Sequence, residues 1–165
     1  MENTVSSGTS VKDMQFFEDF MTATGYTPSA IEELSGVSSH TIVRWIRTGN
    51  ATLSLVRKVM DALGYIIEFD YKIPDIEQIE RKGNIIVGKI YDPFSEKNPN
   101  IGFLLRAIAR SKVQKKTICS ACGLNRNALA EWIKSDDVQT RWLFIIATSF
   151  DWELTVKIYP KENAR

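Results

Sequence analysis

Histidine is almost missing from this chain: His40 is the only one in 165 residues, and cysteine occurs twice, at Cys119 and Cys122. With one imidazole, no nucleophile beside a partner base, no Gly-rich phosphate loop and no cluster of acids, nothing is present on which a catalytic centre could assemble. Cys119-x-x-Cys122 supplies half a zinc site, but a structural site needs about four ligands. A redox pair of that spacing normally follows a strand just before a helix, whereas this one lies within a helical pattern, so two small buried thiols are expected. No cofactor and no metal are expected. Charge of one sign is also lacking, with 21 basic and 20 acidic residues and a net charge of +1. Any case for a nucleic-acid partner must therefore rest on local placement. No apolar run nears the roughly 20 residues of a membrane span. The opening MENTVSSGTS has neither the basic nor the apolar region of a signal peptide. A cytoplasmic protein with reduced thiols and no membrane contact is the expectation. The 44% hydrophobic and 25% charged content is that of a globular protein.

What is present is a repeat. IEELSGVSSHTIVRWI, beginning at Ile31, has the pattern of a short helix, a Gly turn and a second helix. Ile31, Val37, Ile42, Trp45 and Ile46 stand where two crossed helices meet, while Ser39, His40, Val43, Arg44 and Arg47 fall on the outer face of the second. Shifting the numbering by 87 lays it without a gap on ICSACGLNRNALAEWI: Gly36 meets Gly123, Trp45 meets Trp132 and Ile42 meets Leu129. Ser38 and Asn125, both good N-cap residues, fill one aligned position.

The register extends in both directions. Ser10 with Asp13 has the form of a capping box before a helix with Met14, Phe17, Phe20, Met21 and Thr24 on one face. In the second copy Ile101, Leu104 and Ile108 take matching places. Thr27–Pro28 starts the next helix, and a fourth runs from Thr52 with Leu53, Val56, Val59, Met60 and Leu63 inward. Alternation at Tyr65, Ile67, Phe69 and Tyr71 marks a half-buried strand, repeated at Trp152, Leu154, Val156 and Ile158. The organisation expected is mainly α: residues 1–9 a disordered tail, 10–72 one helical domain with its strand, 73–100 a linker, 101–160 a second domain with its strand, and 161–165 a tail. Within the linker, PDIEQIERKGN suggests a helical turn and Ile85–Tyr91 a strand able to pair with the other two.

From Thr27 to Gly64 the sequence resembles the lambda-repressor/Cro-like (XRE-type) helix-turn-helix family, on ELSGVSSHTIVRWIRTGN and the amphipathic helix ending ALG. ACGLNRNALAEWIKSDD is similar but departs further. The small residue usual in the middle of helix 2 is Glu32 in one copy and Cys119 in the other. The acid usual after the helix 3 Trp is Ile46 and Ile133. The resemblance implies a sequence-specific transcriptional regulator of double-stranded DNA, with helix 3 in the major groove. It puts Ser39, His40, Thr41 and Arg44 of the first copy at base edges, and Arg126, Asn127, Ala128 and Glu131 of the second. Arg suits guanine, Asn adenine, and Glu can accept from cytosine. Phosphate contacts are implied at Thr27, Ser29, Gln114, Lys115 and Lys116, with Arg47 and Lys134 gripping the backbone.

Other readings stay open. Arg44, Arg47, Arg57 and Lys58 are also what a solvated face looks like, His40 is as readily an idle surface residue, and Glu131, Asp136 and Asp137 would repel phosphate. RWLFIIATSF is apolar nearly all round, so Trp142 and Ile145, opposite Leu55 and Lys58, mark a contact surface toward the other repeat or a second chain. If the terminal strands pair about a pseudo-two-fold, one chain mimics a repressor dimer whose recognition helices lie about 34 Å apart. A homodimer is possible, and the alternative from another class is a protein–protein module, such as an antitoxin or adaptor, in which one or both copies bind a protein partner.

Overall fold

The computed structural model describes residues 3–6, 13–73, 94 and 97–163. Among them are eight α-helices and one three-stranded sheet, a mainly helical fold as the periodicity predicts. The first unit comprises α1 (Gln15–Thr24), α2 (Pro28–Ser35), α3 (Ser39–Thr48), α4 (Leu53–Ala62) and β2 (Tyr65–Lys72). The second comprises α5 (Gly102–Ser111), α6 (Lys115–Cys122), α7 (Ala128–Ser135), α8 (Thr140–Phe150) and β3 (Glu153–Pro160). Left-handed residues punctuate both at matching places: Gly25, Gly36, Gly49 and Gly64 in the first, Lys112, Gly123, Asp136 and Asp151 in the second.

The two units join about an approximate two-fold. β2 and β3 pair antiparallel, and the register sets Phe69 opposite Val156, its own counterpart 87 positions on. A second point on the same axis is the isolated bridge between Thr52 and Gln139, again counterparts. Around it the bonds exchange in pairs. Leu53 N donates to Val138 O at 2.9 Å and Thr140 N to Ala51 O at 2.8 Å. Ser54 N donates to Asp137 Oδ1 at 3.0 Å and Arg141 N to Asn50 Oδ1 at 3.1 Å. Swapping the units leaves this pattern unchanged, which is the property of an isologous interface.

One hydrophobic core runs through both units. At its centre Phe69 receives the edge of Phe16, centroids 5.8 Å apart, and stacks on Phe103 at 5.7 Å. Phe16 and Phe103 are themselves counterparts. Periodicity assigns a single buried face to α1 and α5 and misses both rings, because these helices bury a second face on the sheet. Burying an aromatic of this size is worth about 1.5–3 kcal/mol.

Several expectations need correction. Residues 1–9 are not all tail: Asn3–Ser6 form β1, antiparallel to β3 from Asn3↔Ile158 to Ser6↔Thr155, giving the order β1-β3-β2. Strand addition uses main-chain bonds, so a polar sequence can do it. Helix α1 begins at Gln15 with Met14 at its N-cap and no side-chain cap, so Asp13 completes no capping box, and Ser10 lies outside the described residues. The predicted strand Ile85–Tyr91 and all of PDIEQIERKGN lie there too. The 161–165 tail begins as a 3-10 turn, Lys161–Asn163, tied down by Lys161 N to Gly64 O at 3.0 Å. Among the described residues no helix is long and apolar enough to cross a membrane.

Candidate nucleic-acid interface

In the first unit α2 and α3 each begin with a side-chain N-cap. Thr27 Oγ1 accepts from Ala30 N at 3.2 Å, and Pro28 takes the first position of α2, where a missing N–H costs nothing. Ser38 Oγ accepts from Thr41 N at 3.2 Å and shares a hydrogen bond with Thr41 Oγ1 at 3.0 Å. Ile42 and Trp45 are buried, and the Trp45 ring meets Phe17 edge-on at 5.6 Å, fixing the roll of α3 about its axis. Opposite these anchors, His40, Val43, Arg44 and Arg47 form an exposed ridge at helical spacing. Ser39 and Thr41 are half-buried. The Thr41 hydroxyl shares a hydrogen bond with the cap residue Ser38. Glu32 is exposed and Ile31 fully buried, so the unusual acid in the middle of α2 does not intrude on the packing.

The second unit builds the same ridge differently. Helix α7 has 8 residues against 10 in α3, and starts two places late. Asn125, expected to cap it as Ser38 caps α3, instead accepts from Asn127 N through Oδ1 at 2.9 Å. Asn127 holds the N-cap position without a side-chain cap bond. The cause is the known competition of an Asn side chain for nearby backbone amides. Arg126 and Asn127 are therefore exposed turn residues ahead of the helix, and Glu131 and Lys134 are exposed along it. Lys115 and Lys116 open α6, exposed beside Gln114, whose side chain makes no cap bond.

Two acids that looked hostile to phosphate are structural. Asp136 Oδ1 accepts from Ile101 N at 3.1 Å, and its two oxygens receive Asn100 N at 3.2 and 3.1 Å, so it caps the start of α5. Asp137 accepts from Ser54 N at 3.0 Å and Ser54 Oγ at 2.6 Å across the two-fold. Only Glu131 remains as a free-standing acid on that ridge.

Leu55, Trp142 and Ile145, the residues marked as a contact surface, are all half-buried, and Trp142 lies 6.5 Å from Trp132 of its own unit. The junction between units runs instead through Asn50–Ser54, Asp137–Arg141 and the strands. Arg57, one of the four cations read as a solvated face, donates to Ile67 O and Asn100 O, both at 2.9 Å, and lies over the Phe69 ring at 5.5 Å. Burial lowers its pKa, and Asp136 and Glu68 partly oppose that. An open cleft of about 430 Å³ beside it is lined by Arg57, Lys72, Arg106 and Lys157 together with the acids Glu68 and Asp70. Cys119 is buried and Cys122 half-buried, both free, and burial pushes the Cys122 thiol up, away from the reactive thiolate. Among the described residues no group of three or more His, Cys, Asp or Glu is placed to hold a metal ion.

The chain matches no protein-family model, no curated protein and no solved structure.

Proposed function

We propose that this chain is a sequence-specific double-stranded DNA-binding regulator of the lambda-repressor/Cro-like helix-turn-helix kind, carrying both recognition helices of a repressor dimer in one polypeptide. One observation carries the reading: two ridges of polar side chains, each backed by buried anchors, are related by an approximate two-fold. Duplex DNA has local two-folds of its own, and paired helices so related address successive major grooves. In this reading Arg44 reads guanine from the first ridge, and Arg126 and Asn127 read from the turn before α7. Arg47, Lys134, Lys115 and Lys116 neutralise phosphates. The sequence of the bound site is an asymmetric near-palindrome, since the two ridges differ. A cytoplasmic setting suits two reduced thiols and this role.

Selection from random duplexes, followed by footprinting and titration, tests the reading. One chain per duplex, two protected half-sites and a steep loss of affinity with salt are expected. Protection of a single half-site per chain, or no duplex preference, overturns it. Glu131 on the second ridge favours a second reading, a protein-binding module such as an antitoxin or adaptor, for which no salt-sensitive duplex affinity is expected.

A further inference from the structure

Val43 is the apolar member of the first ridge. It is 49% exposed, and it and Leu34, at 55%, are the exposed large hydrophobic side chains among the described residues. The rest of α3 can bury such residues, since Ile42 and Trp45 beside it are 0% and 2% exposed. Val43 stands between His40 and Arg47 on the open face, with Arg44 next to it. A β-branched residue at a helix surface costs a little helix propensity and leaves apolar area in water. The major groove contains one apolar feature, the 5-methyl group of thymine, and reading it takes an apolar side chain.

We infer that Val43 is a specificity-determining residue that packs on a thymine methyl group in the first unit's half-site, next to the base pair read by Arg44. The inference rests on the DNA-binding reading above and sharpens it. The counterpart Ala130 is also exposed but reaches less far, so the methyl contact belongs chiefly to the first half-site.

The test uses the full chain and the duplex it selects. Arg44→Ala identifies the first unit's half-site by the position at which preference relaxes. Each thymine there, on either strand, is then replaced in turn by deoxyuridine, which lacks only the methyl group, and affinity is measured for the wild type and for Val43→Ala. Since Val43 is exposed, the variant keeps the fold, and matching circular dichroism confirms it. At one position the replacement should weaken wild-type binding roughly fourfold, the worth of burying one methyl, and leave Val43→Ala unchanged. If the half-site holds no thymine, or no replacement is felt through Val43, the inference fails and the DNA-binding reading survives. If no duplex is selected, both fail. If Val43→Ala abolishes capture of a protein partner while duplex binding is absent, Val43 belongs to a protein interface instead.

Discussion

The two units share a backbone and differ in how they hold it. The first places glycine at all four of its left-handed positions, whereas the second manages with Lys112, Asp136 and Asp151 at three of them. A left-handed L-residue costs about 1–2 kcal/mol, so the second unit carries strain that the first avoids. At Asp136 that strain has a return. Its carboxylate caps α5 across the space that, in the first unit, lies between Gly49 and Asp13 N, where an added Cβ on Gly49 would come to 3.5 Å. The first ridge is anchored by a fully capped helix and a buried Trp45. The second rests on a shorter helix and a half-buried Trp132. A duplicated fold can thus keep its geometry while the local reasons for that geometry change.

The largest expected effect would break the comparison by removing the shared centre. Val156→Asp buries a charge at a fully enclosed position beside Phe69, and should cost more than about 3 kcal/mol. Because one core spans both units, denaturant melting of this variant and of the wild type should show a single transition on fluorescence and circular dichroism alike. Two separated transitions would mean the halves are independent.

Next come the ridges themselves. Arg44→Ala should lose roughly 10–100-fold in affinity at one base step and relax preference there. Lys134→Ala should weaken binding evenly across sequences and lower the salt slope by about one. Binding assays on a panel of single-step site variants separate these patterns; identical patterns for both would contradict the division between reading and gripping residues.

Smaller effects sharpen the contrast in turns. Asp136→Gly relieves a left-handed residue yet strands Asn100 N and Ile101 N, for a net loss of about 1 kcal/mol. Lys112→Gly relieves the same strain with no bond of its side chain at stake, and should gain up to about 1 kcal/mol. Opposite signs at two like positions, read from urea midpoints, are the outcome to look for. A smallest effect concerns pH. Burial raises the Asp13 carboxyl, with Arg141 opposing. A folded-state pKa above the unfolded value means the native state binds that proton more readily, so Asp13 penalises stability above its folded pKa and the penalty fades as pH falls through it. Asp13→Asn should therefore add stability near neutral pH, and the gain over the wild type should shrink as pH falls, measured by melting across pH 3–6.

Much of this was legible in the residues. The inward face of α4, the alternation of both strands and the shift of 87 all follow from periods of 3.6 and 2 acting on each element alone. Phe16 and Phe103 were not legible, because their burial is decided by a sheet distant in sequence. Nor was β1, whose pairing is made by main-chain groups and leaves no pattern in NTVS. Asn125 has the right chemistry for a cap, and only the backbone shows that it turned to Asn127 instead. Asp136 and Asp137 read as surface acids until the amides of Asn100, Ile101 and Ser54 are found beside them. As for the interface, the sequence alone marked the exposed ridge well, since exposure follows helical phase. It missed the burial of Ala128, expected at a base edge, and the bond that ties the Thr41 hydroxyl to Ser38.

The self-opposed pairs on the axis, Phe69 with Val156 and Thr52 with Gln139, have a further consequence. In an assembly of two identical chains, whatever residue occupies such a spot must confront a copy of itself, so bulk can only be doubled or removed. Fusion into one polypeptide lifts that constraint. A wide ring can sit against a narrow neighbour, and each side of the seam is free to change without forcing the same change on the other.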